Sequence, residues 1–269
     1  MHLKRWITGL SALPFLIFLI YLGGFPFILL IGFVCGCSLW EYYRIVFNAA
    51  PQTLLNPVIW WGYLISLCIL IAAYVDGPQS VLAFVALNLI LAGLISVFIY
   101  KTNPAVVDII QKQVLGIVYI PLSLSFLVTI RHDPDGMVWI FFLLAIIFVG
   151  DISAYYVGSY LGRRKLSPAI SPGKTVEGAI GGIAGNLLAG IIGKHFFLPS
   201  LPWGPVIIFF IVAGLAGQVG DLFESEMKRS SKIKDSGGLL PGHGGFLDRV
   251  DALLFASPVA YIFKVLIFS

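Results

Sequence analysis

The stretch WITGLSALPFLIFLIYLGGFPFILLIGFVCGCSLW, Trp6–Trp40, contains no Asp, Glu, Lys or Arg. A helix rises ~1.5 Å per residue and a bilayer core is about 30 Å thick, so ~20 apolar residues cross it once. Trp6–Trp40 is long enough for two crossings, with Gly23, Gly24 and Pro26 near its middle where a tight turn belongs. Further charge-free runs follow at Ile45–Val75, Gly77–Tyr100, Gln113–Ile130, Gly136–Gly150, Gly178–Gly193, His195–Gly220 and Ala252–Phe263. Once flanks are included, these runs predict an all-α, polytopic integral membrane protein of about nine spans: 6–22, 25–46, 54–75, 79–100, 114–130, 136–161, 175–197, 203–229 and 249–268. His2, Lys4 and Arg5 ahead of the first run resemble a secretory leader, but no small-residue cleavage site follows, so the first span is expected to be retained.

Composition agrees with this reading. Hydrophobic residues make up 59% of the 269 and charged residues 11%, against roughly 25% charged in a soluble domain. That excludes a soluble globular enzyme, and high hydrophobicity excludes disorder. Cys35, Cys37 and Cys68 are an odd number inside apolar runs and read as helix filler, not a disulfide framework. A net charge of +4 is too mild for a nucleic-acid binder, and none is expected as a partner.

Assigning loops alternately to two sides puts 14 of the 17 basic residues on the side of the N-terminus, leaving Arg131, Lys194 and Lys264 on the other. The positive-inside rule makes the first side cytoplasmic, in the cell's inner membrane, with the C-terminus outside. Charge is uneven along the chain: residues 1–150 hold 6 basic and 5 acidic residues, and residues 151–269 hold 11 and 8. Ionisable groups within or beside spans are costly and mark function. The expected division is a scaffold of about five spans at 1–135 and a catalytic region of about four spans at 136–269, integrated in one membrane domain.

Three constellations carry the chemistry. Asp151 lies about 12 residues, or ~18 Å of helix, from Arg163, which places it near mid-bilayer. It either locks helices together through Ser153, Tyr155 or Asn186, or floors a polar cavity open to the cytoplasm. The loop from Gly162 to Thr175 ends in Gly173-Lys174-Thr175, and Pro168 stands where a Walker A motif requires Gly. A phosphate site at a helix start still fits these residues, with Lys174 as a point charge, as does a plain basic flank at Arg163, Arg164 and Lys165. After it, Gly181, Gly185, Ala189 and Gly193 form a small-residue packing seam.

The third constellation is the densest. Gln218, Asp221, Ser225 and Lys228 share one helix face, and Asp248 and Asp251 stand three apart at the start of the last span. Either Asp of that pair alone could be a cap. Asp221, Asp235, Asp248 and Asp251 also share 31 residues with Lys228, Arg229, Lys232, Lys234, Arg249 and five glycines, a mixture that suits Mg²⁺ and phosphates together.

The stretch Ser225-Glu-Met-Lys228-Arg229, four residues, Lys234-Asp235-Ser-Gly-Gly-Leu-Leu-Pro241-Gly-His243-Gly244-Gly245-Phe-Leu-Asp248-Arg249-Val-Asp251 resembles the defining motif of the phosphatidate cytidylyltransferases, with every fixed position filled. Similarity continues upstream through Gly217–Glu224, Lys174-Thr175, Ser171-Pro172 and Asp151, covering about the last 120 residues. The resemblance implies transfer of a cytidylyl group from CTP to phosphatidic acid, giving CDP-diacylglycerol and pyrophosphate with Mg²⁺, and it leaves room for a second metal ion and for a homodimer among membrane lipids. It further implies Asp221 and Asp248 as first metal ligands, with Asp251 and Asp235 as further ligands or orienters. Lys228, Arg249 and Asp235 join them as catalytic candidates. Lys174, Ser171, Thr175, Arg229, Lys234, His243, Gly244, Gly245 and Asp151 are candidates for substrate binding. Two alternatives stay open: nucleotidyl transfer to another lipid or polyprenyl phosphate, and a transporter of an anionic solute.

Overall fold

The structure, a computed structural model, describes residues 13–48, 56–233, 236–237 and 244–268. In chain order its helices are α1 (Leu13–Leu22), α2 (Gly24–Val46), α3 (Pro57–Val75), α4 (Pro78–Ile99), α5 (Val106–His132) and α6 (Gly136–Leu161). A two-stranded antiparallel hairpin follows, β1 (Lys165–Ser167) and β2 (Ser171–Thr175). The chain continues through α7 (Val176–Phe197), α8 (Trp203–Ser230) and α9 (Leu247–Ile267). Among the described residues, α2 to α9 are each long and apolar enough to cross a membrane, and α1 is shorter. The protein is thus an all-α polytopic membrane protein of about nine helices. Residues 6–12 of the expected first span lie outside the described residues.

Local chemistry explains where the helices begin and end. The turn expected inside Trp6–Trp40 is made by Gly23 and Gly24, both at positive φ (62° and 51°), a region that costs glycine little. Arg131 closes the end of α1, its Nε donating to the Ile20 carbonyl at 2.8 Å and Nη2 to that of Tyr21 at 3.0 Å. Those carbonyls have no partner within their own helix. Asn56 starts α3, its side chain accepting from the Val58 N–H at 2.9 Å with Pro57 next in the chain.

Among the fully described spans, one boundary lies well away from its expected place. The fifth span begins at Val106 and not near residue 114, because Asp108 and Lys112 do not end the helix. They pair one turn apart, Lys112 Nζ to Asp108 Oδ2 at 2.8 Å, while Val106, Ile109 and Gln113 on another face are buried. Pro121 sits further along in a wide π-helical turn, Val118–Leu122, which absorbs the missing N–H.

The chain divides into two compact units, Met1–His132 with Ser231–Asp248, and Asp133–Ser230 with Arg249–Ser269. The first unit buries Leu39, Tyr42, Tyr43, Ile65, Ile69 and Ile117. Its polar interior pair is reciprocal, with Gln113 Nε2 donating to Asn88 Oδ1 at 2.9 Å and Asn88 Nδ2 to Gln113 Oε1 at 3.3 Å. In the second unit α6 and α7 meet along the small-residue seam. Side chains at Gly181 and Gly185 would strike Val157 and Ser153. Asn186 fills the notch left by Gly150 and Gly214, and with its amide oriented to match its neighbours the nitrogen donates to the Ile146 carbonyl at 2.8 Å.

Candidate active site

The second unit builds its site around the hairpin. Glu177, in the first turn of α7, accepts the N–H groups of Arg163 at 3.0 Å and Arg164 at 3.1 Å through Oε2. Thr175 caps α7, its hydroxyl accepting from the Gly178 N–H at 3.1 Å. The register pairs Lys165 with Thr175 and Ser167 with Ser171, and Arg229 Nε donates to the Ile170 carbonyl at 3.1 Å, tying the hairpin turn to the end of α8. This fixes the end of β2, and Lys174 projects from it to Asp221 of α8, Nζ to Oδ2 at 2.6 Å.

The pair opens onto a cavity of about 440 Å³ whose wall includes Asp151, Tyr155, Ser171, Lys174, Thr175, Gln218 and Asp221. Gln218 is held by donation from Nε2 to the Ala179 carbonyl at 3.0 Å. Five residues expected from sequence to serve substrate or metal, Asp151, Ser171, Lys174, Thr175 and Asp221, are therefore brought together. Asp151 stands on the cavity wall together with Tyr155, one of the three partners that a helix lock could use. The helix α9 adds Asp251. A side chain at Gly220 would strike the Asp251 carbonyl, so α8 and α9 cross closely there. That crossing brings Asp251 within electrostatic range of Asp221, Lys228 and Asp151. Lys228 also bonds Glu224 Oε2 at 2.5 Å. Arg249, at the start of α9, is exposed.

The first unit holds the other end of the motif. Asp248 Oδ2 accepts the N–H groups of Gly245 at 2.9 Å and Ser236 at 3.3 Å, and Gly244 takes a positive φ of 81°. Lys234, Asp235 and His243 lie outside the described residues. Glu41 of α2, which no motif marked, is fully buried beside this loop. Its only signal in the sequence is a lone acid immediately after the charge-free run Trp6–Trp40. Among the described residues, no three His, Cys, Asp or Glu side chains converge closely enough to hold a metal ion by protein ligands alone.

A helical membrane protein with a lysine–carboxylate pair facing a cavity, and a small hairpin to position it, has the parts of an enzyme acting on a phosphate-bearing substrate. The sequence matches the model of the cytidylyltransferase family across residues 3–267. It is 34% identical to a phosphatidate cytidylyltransferase of Bacillus subtilis, over 99% of this chain and 98% of that one. It is 31% identical to one of Synechocystis sp., over 99% and 98%, and 34% identical to one of Brucella abortus, over 96% and 92%. The chain belongs to the cytidylyltransferase family, and it is a nucleotidyltransferase.

Proposed function

We propose that the protein transfers the cytidylyl group of CTP to phosphatidic acid, releasing pyrophosphate and leaving CDP-diacylglycerol in the membrane. The observation that carries this reading is the Lys174–Asp221 pair on the wall of the cavity. It sets a cation and a carboxylate side by side where a polyphosphate and its counter-ion would both need partners. In the reaction an oxygen of the phosphatidate phosphate bonds to the α-phosphorus of CTP as the bond to pyrophosphate breaks. Such transfers depend mainly on positioning and charge stabilisation. Lys174 and Lys228 are assigned to the phosphates, Thr175 and Ser171 to hydrogen bonding at the cavity wall, and Arg229 to holding the hairpin that carries Lys174.

The donor set fits a divalent cation. Asp221 has carboxylate neighbours in Asp151 and Asp251, and like charges gathered in this way favour a bound cation. Mg²⁺ commonly takes one or two protein carboxylates and fills its other positions with water and phosphate oxygens. Asp221 and Asp251 are assigned to it on their placement, and Asp248, one turn before Asp251 on α9, on the motif alone. A bound ion would neutralise charge on the triphosphate.

The test is incubation of purified protein with phosphatidic acid, CTP labelled at the α-phosphate and Mg²⁺, expecting labelled CDP-diacylglycerol. No labelled lipid, or label entering a different phosphate lipid in preference, overturns the substrate assignment. Flux of an anion through proteoliposomes without CTP would favour a transporter. The reaction is assigned to the cytoplasmic face. In a protein lacking Cys35, Cys37 and Cys68, Lys165→Cys and Lys232→Cys should both resist an impermeant thiol reagent in intact cells, and ready labelling of both would reverse that orientation.

A further inference from the structure

Glu41 is 0% exposed, although it is a carboxylate only five residues from the C-terminal end of α2. Burying such a group is costly unless its oxygens are met by donors. Oε2 accepts the Leu247 N–H at 2.8 Å and the Ser236 hydroxyl at 3.2 Å, both from the glycine-rich motif loop. Oε1 is buried without a hydrogen-bond partner among the described residues. The loop is shaped to receive this side chain, because Cβ atoms added at Gly237 or Gly245 would strike the Glu41 carboxylate.

Asp248 grips the same loop from its own backbone side. Ser236 gives its N–H to Asp248 and its hydroxyl to Glu41. Gly245 gives its N–H to Asp248, while Leu247, the first residue of α9, gives its N–H to Glu41. Two carboxylates therefore staple residues 236 and 245–247 and close the ends of the segment that carries His243. The N–H of Leu247 is one of the donors a helix start leaves unmatched, so Glu41 fixes where α9 begins. Asp251 follows one turn later on that helix.

We infer that Glu41 is a positioning residue of the transfer reaction. Acting through Ser236 and Leu247, it sets the motif loop and the start of α9 without touching substrate. A loop whose two ends are fixed by carboxylates is what a reaction sensitive to placement requires. The inference rests on the cytidylyl-transfer reading, so wild-type activity is the control for that reading and the variants test the positioning.

The experiment compares Glu41→Ala, Glu41→Gln and Ser236→Ala, each normalised to folded protein, by kcat, by KM for CTP and phosphatidic acid, and by amide exchange of a peptide spanning 244–248. A ~1 Å misplacement costs ~10²-fold, so Glu41→Ala is expected to lower kcat by at least ~10-fold, with both KM values within ~3-fold and exchange at the loop faster. Gln can still accept both hydrogen bonds and should recover kcat to within ~5-fold of wild type, a rescue that a purely electrostatic role would not give. Ser236→Ala leaves α2 intact and should fall between them, which keeps the test decisive if Glu41→Ala fails to fold. Unchanged exchange in the Ala variants overturns the inference. So does faster exchange with kcat unchanged, which would make Glu41 a structural anchor only. If wild type forms no CDP-diacylglycerol, the functional reading has failed, and exchange alone then decides whether Glu41 holds the loop.

Discussion

Glu41 and Asp248 have carboxylate oxygens met by N–H and hydroxyl groups of one loop, whereas Asp151, Asp221 and Asp251 face lysine ammonium groups and one another. The two settings differ in what can be exchanged. A backbone N–H is fixed by the chain and gives the same hydrogen bond to any acceptor of the right shape. A lysine is a point charge on a flexible stem, and it can leave a carboxylate for a phosphate while the carboxylate takes a metal ion. The first setting therefore depends on hydrogen-bond geometry and the second on charge. Substituting the amide for the acid separates them, since Asn and Gln keep the shape and an acceptor oxygen but lose the charge.

The largest effect should come from that substitution in the charge-dependent setting. Asp221→Asn is expected to purify as a folded protein and to lose activity by at least ~10²–10³-fold, the scale on which a preorganised electrostatic group contributes. Asp248→Asn sharpens the comparison, because Asn can still accept the Ser236 and Gly245 N–H groups. A loss as large as that of Asp221→Asn assigns Asp248 to the ion through its charge. Activity near wild type at limiting Mg²⁺ would leave it as a loop staple. Chelation of divalent ions should abolish turnover of wild type reversibly, and activity that persists in chelator would remove the metal from the assignment.

Lys174→Ala comes next. Its ammonium is the partner of Asp221 at 2.6 Å, and its removal should lower kcat/KM for CTP by ~10²-fold, in the range of a lost charge-assisted contact in an active site. A change below ~3-fold would return Lys174 to the role of a membrane-flanking charge.

How much of this was legible in the sequence follows from the range over which each signal acts. Spans are visible because about 20 consecutive apolar residues have few other uses, and the start of α5 is hidden because Asp108 and Lys112 look like a boundary until their i, i+4 pairing is known. Lys165–Ser167 and Ser171–Thr175 read as loop from sequence, being too short for a strand pattern and flanking Pro168, although the structure pairs them as β1 and β2. Residues of the cavity could be named from the motif and from charge near spans, but the bond between Lys174 and Asp221 joins positions far apart in the chain. No spacing rule reaches that distance. Glu41 was invisible for the same reason: a single acid at the end of an apolar run reads as a flank until Ser236 and Leu247 are placed beside it.

A smaller effect tests how the hairpin serves the site. Glu177 is not one of the residues that line the cavity, and its carboxylate holds the Arg163 and Arg164 N–H groups at the hairpin's entry. Glu177→Ala should loosen the base of β1 and lower kcat/KM for CTP by ~3–10-fold, less than a misplacement of ~1 Å at the reacting groups themselves would. Glu177→Gln should restore most of the loss, because the two backbone donors need an acceptor and not a charge. An effect as large as that of Lys174→Ala would instead place Glu177 among the groups that meet substrate.

The smallest effect is expected at Arg163, and it separates the chain's basic loop from its basic site. Arg163 stands eleven residues before Lys174 in the same loop and has the same sign of charge, so a reading by charge alone would treat the two alike. The structure gives them different work. Arg163 contributes its backbone N–H to Glu177, a bond that any residue except proline supplies, while Lys174 contributes its side chain to Asp221. Its exposed guanidinium would act only through long-range attraction to an anionic substrate or surface, which salt screens over ~8–10 Å. Arg163→Ala should therefore change kcat/KM for CTP by less than ~2-fold at physiological ionic strength, with any loss growing as salt is lowered. Arg163→Pro should do more than Arg163→Ala, since it removes the N–H that Glu177 accepts. Equal, sizeable losses in Arg163→Ala and Lys174→Ala would mean that the loop binds phosphate as a diffuse patch, and the distinction between fixed and exchangeable partners would fail in the region where it is drawn most sharply.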